Sequence, residues 1–331
     1  MTARPVVVIG DALLDVDVEG TVERLCPDAP APVLDVVDES ARPGGAGLAA
    51  ALVAGRGIPV RLVTALERDE PGRRLCELLD GALDLIAGAS VGGTVVKCRW
   101  RVGGRTLLRT DRGRGAPAPR FAARLGLGRV LAGAGAVLVS DYGRGVAADP
   151  QVRAALARAV ARGVPVVWDP HPRGPDPVPG ATLVTPNLAE ARRAAGGPDE
   201  SGKDGQAGLE LAGRLLDRWD AHAVAVTLGS GGAAVRHRHG GRSAIPAPAV
   251  DGGDACGAGD HFAGGVAAAV AAGADVDSAV AEAVCEASRF VALGGGSTVR
   301  RFGHRWLQRT AEPDLVAGRH RPVTGSPERV A

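Results

Sequence analysis

The sequence predicts a doubly wound, three-layer α/β fold. Short apolar runs recur along the chain, helix-compatible stretches separate them, and two segments that break the alternation read as a small extra β-sheet. The runs are 6–9 (VVVI), 60–63, 136–139 (AVLV), 165–168 (PVVW), 182–184 and 223–227 (AVAVT). Largely continuous apolar character, rather than alternation, marks strands of a parallel sheet covered on both faces. Between them Pro71–Leu79, Gln151–Ala161 and Leu209–Trp219 have helical spacing. In such folds ligands sit beyond the carboxyl ends of the strands, so motifs directly after strands carry most weight.

The first break in the rhythm covers Asp15–Arg42, with strand-like pieces at 15–19 and 33–37 joined by the Pro-rich CPDAPAP. The second, Thr94–Thr110, reads VVKCRWRV-GG-RTLLRT, a β-hairpin turning at Gly103–Gly104. Together they predict a lid sheet from about 12–42 and 92–113, because Asp11 and Asp15 follow the first strand and feed into it. The remainder of 1–298 forms the main domain, and 299–331 is expected to be a basic, partly disordered tail.

Composition narrows the function. In 331 residues, 45% are hydrophobic and 23% charged, which gives a globular chain with a large core. A formal charge of +2 and 3% aromatics argue against nucleic acid, which needs a basic stripe or stacking platforms. The cations are 37 Arg and 2 Lys, the mark of GC-rich coding, so single arginines mean little and rare residues such as Asn187 and Tyr142 mean more. Five scattered cysteines without a CxxC pair suit neither zinc nor a disulfide scaffold. The apolar run before Asp11 is too short for a signal peptide, and no stretch reaches membrane-spanning length, so a cytoplasmic location with no membrane partner is expected.

The most informative segment is DGGDACGAGD (251–260), followed by HFAGGVAAAVAAGA. Small residues at 257–259 let a ligand approach the backbone, and the helix that begins there points unpaired N–H groups at one spot, a site for phosphate. Asp260 in that first turn would be repelled by the phosphate unless it acts as a base beside it, which suggests phosphoryl transfer. A glycine-rich turn capped by an Asp explains the four residues GAGD equally well. Other signatures are weaker. GPDESGKD (197–204) matches a phosphate-binding loop through Lys203, but it ends in Asp and follows a helix. GAGLAA (45–50) lacks the preceding strand of a dinucleotide site. RHRH (236–239) reads as a solvated surface hairpin, and His171 and His261 have no ligand partner at metal spacing.

The order of these pieces resembles the ribokinase-like (PfkB) carbohydrate kinases over roughly 5–298, through VVVIGDALLD, RPGGAGLAAAL (42–52), TPNLAEA (185–191), VTLGSGGAAV (226–235) and DACGAGD (254–260). GTVERLCPDAPAPVL (20–34), RPGGA, TVVKCRWRVGGRTLLRTD (94–111), VSDYGRGV (139–146) and WDPHPRG (168–174) look most like the heptose 7-phosphate kinases of that family. The resemblance implies a ribokinase-like α/β/α domain with a mostly parallel central sheet and a small β-sheet lid. It also implies a kinase that uses ATP and Mg2+ to phosphorylate the anomeric hydroxyl of a heptose 7-phosphate.

On that resemblance Asp260 is the catalytic base, and Gly257, Ala258 and Gly259 form its anion hole. Asn187 and Glu190 organise magnesium through water. Thr227 and Gly229 contact nucleotide phosphates. Asp11, Asp15, Gly44 and Gly45 meet the sugar, and Asp254 belongs to a monovalent-cation loop that implies potassium. Lys97, Arg99 and Arg109 of the lid are expected to hold the distal phosphate of the substrate, because a phosphorylated sugar needs cations. The chain departs from the family pattern at Leu48, where an Asn contacts sugar hydroxyls, at His171 for Lys, at Cys256 for Thr and at Leu228 for Arg. A fructokinase, ribokinase or nucleoside kinase, or a non-catalytic sugar-binding protein, are the alternative readings. No HxGH signature of an appended nucleotidyltransferase occurs, so a stand-alone kinase is expected. A homodimer through the lid is expected too, since a two-sided sheet leaves edges to cover.

Overall fold

A computed structural model describes residues 4–196, 205–250 and 252–308. The rejected loop motif at 197–204, Asp251 and residues 309–331 lie outside the described residues.

In chain order the strands are β1 (Val6–Gly10), β2 (Ala12–Leu25), β3 (Pro32–Gly45), β4 (Val60–Leu66), β5 (Asp84–Val91), β6 (Val96–Val102), β7 (Arg105–Arg112), β8 (Ala116–Pro117), β9 (Ala136–Ser140), β10 (Val166–Asp169), β11 (Leu183–Val184), β12 (Ala223–Thr227), β13 (Ala233–His237), β14 (Arg242–Ile245), β15 (Val299–Phe302) and β16 (Arg305–Gln308). The helices are α1 (Ala46–Gly55), α2 (Glu70–Leu79), α3 (Leu127–Val130), α4 (Pro150–Ala161), α5 (Leu188–Ala194), α6 (Gly205–Trp219), α7 (Ala258–Ala271) and α8 (Val276–Ala292).

Ten strands form the main sheet in the order β14-β13-β12-β11-β10-β9-β1-β4-β5-β8. From β12 through β5 neighbouring strands run parallel, while β14, β13 and β8 close the edges antiparallel. Alternate side chains of β1 serve the two faces: Val6 and Val8 join the core under α1, α2, α7 and α8, and Val7 and Ile9 join the core under α4 and α6. All five residues of β1 and β9 are buried, which explains their unbroken apolar runs. The chain leaves β1 toward β4 on one side and returns to β9 on the other, so the crevice between β1 and β9 is the switch point where such sheets hold ligands.

The lid is a second sheet in the order β3-β2-β6-β7. β2 and β3 are each 14 residues long, so the lid pieces seen in the sequence are the centres of longer strands. β2 starts two residues after β1 ends, and β3 runs straight into α1, so the lid grows from the switch point without a flexible linker. Its β6–β7 hairpin turns at Gly103–Gly104 as expected. RHRH lies at the turn of the β13–β14 hairpin.

Two parts differ from expectation. β5 was hidden because its residues 84–91 (DLIAGASV) alternate half-buried and exposed near the sheet edge. Residues 299–308, expected to belong to the basic tail, pair instead: β15 and β16 form a hairpin against α1, α2 and α8. Trp306 is buried with Leu48, Ala51, Phe290 and Val299, and its indole N–H donates to the Leu78 carbonyl at 3.0 Å. Each short strand buries a single apolar residue, Val299 or Trp306, among arginines and exposed positions, so the hairpin leaves little trace in hydropathy. Among the described residues no helix is long and apolar enough to cross a membrane.

Truncating Trp306 to Ala should cost about 3–5 kcal/mol, the usual range for a buried aromatic. A shift of the urea midpoint to lower denaturant at unchanged slope would show that the hairpin belongs to the cooperative fold.

Candidate active site

Helix α7 begins at Gly257, whose φ of 81° puts it in the left-handed region that glycine tolerates. No side chain caps this start, so N–H groups of the first turn are left for an anion. Gly257 and Gly259 line the cavity beside it, whereas Ala258 turns its N–H back to the Ala255 carbonyl at 3.1 Å. The expected anion hole therefore rests on the two glycines flanking Ala258.

Asp260, on that first turn, is only 5% exposed, yet its carboxylate faces a polar cavity and not apolar packing. The cavity, about 190 Å³, is lined by Asp141, Asp169, Glu190, Asn187 and Thr227, with Tyr142, His171 and Thr185. Burial pushes Asp260 up to about 7, against a Tyr142 hydrogen bond that favours ionisation. The Tyr142 hydroxyl donates to both Asp260 oxygens, at 2.9 and 2.8 Å.

Tyr142 follows β9, across the switch point from Asp11, which follows β1. The buried Asp11 carboxylate accepts three backbone N–H groups from the loop after β9: Tyr142 (3.0 Å), Arg144 (2.9 Å) and Val146 (3.1 Å). Asp11 thus organises the loop beside Asp260, and both of its oxygens are engaged there.

Asp15, one strand pair into the lid, is also buried. It accepts from Arg99 at 3.1 Å and lies 3.8 Å from Arg42, which also pairs with Asp17. Gly44 and Gly45 lie where β3 passes β2 into α1. A Cβ on Gly44 would stand 2.7 Å from the Asp15 carboxylate, and one on Gly45 (φ 57°) would stand 2.5 Å from the Asp11 carbonyl. Gly44 thus leaves room for the Asp15 carboxylate, and Gly45 for the backbone at Asp11.

The three lid cations expected at a phosphate are placed differently from one another. Arg99 is bound to Asp15, Arg109 makes two bonds to Asp111 (2.8 and 2.6 Å), and the Lys97 ammonium lies 4.6 Å from the Tyr142 ring centroid. Burial pulls the Lys97 pKa down while Asp15 holds it up. Arg144, on the Asp11-bound loop, adds a cation near Asp11 and Asp111.

On the far side of the cavity, Asn187 and Glu190 form a reciprocal capping box at the start of α5. Asn187 Oδ1 accepts from the Glu190 N–H (3.0 Å), and Glu190 Oε2 accepts from the Asn187 N–H (2.8 Å). Thr227, the last residue of β12, bridges to Asn187, and Gly229 (φ 61°) follows in a turn with open space around its Cα. Asp254 precedes α7. One of its oxygens accepts from the Cys256 N–H (2.9 Å) and the other from Arg101 of the lid (3.1 Å). Leu48, where the family pattern has Asn, points into the Phe290–Trp306 cluster.

Asp141 and Asp169 were not singled out from the sequence. Asp141 follows β9 in VSD and Asp169 ends β10 in VWD, and an acid at the end of a buried apolar strand was the available signal. Burial raises Asp141 to about 7 and Asp169 well above the carboxylate range, with Glu190 and Asp260 adding to the latter. Burial raises Glu190 as well. The cavity is therefore a concentration of acids that favours incoming cations.

Comparison with known proteins places these features. Residues 130–299 match the family model for pfkB family carbohydrate kinases. The chain is 44% identical over 328 residues to the Bifunctional protein HldE of Streptomyces coelicolor, covering 97% of this chain and 68% of that protein. With the Azorhizobium caulinodans protein of the same name the figures are 36%, 93% and 65%, so the chain spans about two thirds of the length of these relatives. Among solved structures it resembles Arabidopsis thaliana ribokinase complexed with ribose and ATP (TM-score 0.63, 24% identity, 88% of this chain and 93% of that one). It also resembles Escherichia coli phosphofructokinase-2 in complex with substrates and products (0.67, 18%, 87% and 93%). Both share the ribokinase-like fold.

In the folded protein Asp260 keeps its proton up to about pH 7, whereas the unfolded chain releases it near 3.8. This group's share of stability therefore falls as pH rises between those values. Asp260→Asn, which keeps an acceptor for Tyr142, should melt a few degrees above the wild type near pH 8, with the gap closing near pH 4.5, in calorimetric scans.

Proposed function

We propose, for a chain that belongs to the pfkB family of carbohydrate kinases, the transfer of the γ-phosphoryl group of ATP to the anomeric hydroxyl of a heptose 7-phosphate, giving the 1,7-bisphosphate. As a carbohydrate kinase the protein needs a sugar and ATP, and kinases of this kind work with a divalent metal. The observation that carries the reading is Asp260 in the first turn of an uncapped helix, facing a cavity whose opposite wall holds Asn187, Glu190 and Thr227.

Asp260 takes the hydroxyl proton as the sugar oxygen attacks the γ-phosphorus and the bond to ADP breaks. The N–H groups near Gly257 and Gly259 stabilise charge on the transferred group. An acid whose pKa lies near 7 suits a base working at neutral pH.

The metal is magnesium in this reading. Among the described residues no three His, Cys, Asp or Glu side chains cluster to cage a metal. An ion held by one or two carboxylates and by substrate phosphates is magnesium's habit, and the hard oxygens of Glu190 and Asn187 fit it. When bound, it supplies charge stabilisation on the phosphates. Potassium fits less well: both Asp254 oxygens have protein donors and Arg101 already neutralises it, so no step is assigned to a monovalent cation.

In this reading the distal phosphate of the sugar lies under the lid, near the Lys97 ammonium over the cavity-lining Tyr142. Arg99 would have to leave Asp15, and Arg109 Asp111, to join it. The heptose itself rests on the resemblance of segments 20–34 and 94–111.

A panel of ATP-consumption assays tests this. Heptose 7-phosphates should exceed unphosphorylated sugars and nucleosides by at least tenfold in kcat/KM, and Arg99→Ala should raise the sugar-phosphate KM with little change for ATP. Asp260→Asn should lower kcat by about a hundredfold or more while nucleotide affinity stays near normal. Preference for an unphosphorylated sugar would defeat the lid argument, and sugar binding without turnover would defeat the kinase.

A homodimer through the lid is part of the proposal. Leu25, Val36, Val37, Leu107 and Leu108 are all more than half exposed on its strands, apolar side chains on both faces that a second copy would cover. Val37→Asp with Leu107→Asp should convert a dimer to a monomer in light scattering at micromolar concentration.

A further inference from the structure

We propose that Tyr142 is the positioning residue of the catalytic base: its phenol O–H, shared between both oxygens of Asp260, holds the carboxylate in place and keeps it an acceptor for the sugar hydroxyl. The inference rests on Asp260 being the base and adds the group that orients it.

The geometry is specific. A donor at 2.9 and 2.8 Å from the two oxygens straddles the carboxylate. A carboxylate offers about four lone-pair directions, so this leaves capacity on each oxygen for a second donor. The described hydrogen bonds to the Asp260 side chain come from this phenol alone.

Tyr142 is itself fixed from both ends. Its backbone N–H is one of the three that Asp11 accepts. Its ring has the Lys97 ammonium 4.6 Å from the centroid and stacks with His171 at 6.4 Å. Burial, together with the neighbouring Asp260, raises the phenol well above its ordinary value, so it remains a donor throughout the working range. During transfer the sugar proton moves to Asp260 and the phenol proton stays on Tyr142.

Other ionisable groups also face Asp260. Asp15 of β2 opposes its ionisation, Lys97 of β6 favours it, and Asp169 of β10 and Glu190 of α5 share the acid-rich cavity. None of them is altered by removing a single hydroxyl, and Tyr142 is the only tyrosine in the chain. Every phenol-directed change therefore reports on one site.

The experiment follows the Asp260 carboxyl by 13C NMR in the nucleotide-free full chain, assigned with Asp260→Asn, together with the pH profile of kcat/KM for ATP and a heptose 7-phosphate. In Tyr142→Phe the carboxylate loses a donor, so its titration midpoint and the acid limb of the profile should both move upward by about one pH unit. Activity should then fall about tenfold near pH 6 and recover to within a few-fold near pH 9. Global replacement of tyrosine by 3-fluorotyrosine gives a more acidic, stronger donor and should move the midpoint the other way; it decides the matter if Tyr142→Phe does not fold. An unmoved midpoint in either protein overturns the positioning role. An Asp260→Asn enzyme with near-normal turnover overturns the base assignment instead, whatever the titration shows.

Discussion

The buried carboxylate of Asp11 joins the two halves of this molecule. It stands at the end of β1, where the sheet changes direction, and accepts the three N–H groups of the loop that leaves β9. An aspartate hidden from water would be costly there without those donors, since burial alone raises its pKa. With them it converts a chain reversal into a rigid shelf. Tyr142 on that shelf reaches Asp260, and Asp141 beside it faces the same cavity. The loop that walls the crevice at the switch point is thus held by one buried acid.

Around this shelf the protein concentrates acid on one side and cation on the other. Asp141, Asp169, Glu190 and Asp260 share a small, poorly solvated space, and burial holds all four toward their protonated forms. Such a group is a costly arrangement in an empty pocket and a favourable one when a nucleotide and its metal arrive. The lid carries cations on alternate residues of β6: Lys97 lies over the Tyr142 ring, while Arg99 and Arg101 are held by lid acids and by Asp254. The Arg101–Asp254 pair also ties the lid to the loop that leads into α7. The lid and the start of α7 are therefore linked by charge as well as by the chain.

Much of this was legible in the residues. The unbroken apolar runs of β1 and β9 are buried on both faces, so composition alone reveals them. The glycines and Asp260 of GAGD are local: spacing along a helix start determines which groups point together. The NxxE pair is equally local, since a capping box closes within three residues. The β6–β7 hairpin announces itself through its Gly-Gly turn. By contrast, the 299–308 hairpin is not legible in the sequence, because Trp306 is fixed by the Leu78 carbonyl of α2, more than two hundred positions away.

What the sequence determined by itself were the sheet, the helix start with its acid, and the kinase family, because each depends on contacts between near neighbours or on motifs in fixed order. The partners of those groups were decided only by the tertiary structure. Asp11 and Tyr142 are 131 residues apart, Tyr142 and Asp260 are 118 apart, and Arg101 and Asp254 are 153 apart. A side chain's charge and hydrogen-bonding capacity are printed in the sequence, but which donor meets it depends on how strands are ordered across the sheet. For that reason the protein partners of Asp11 and Arg109, and the tyrosine beside Asp260, became visible only in the fold.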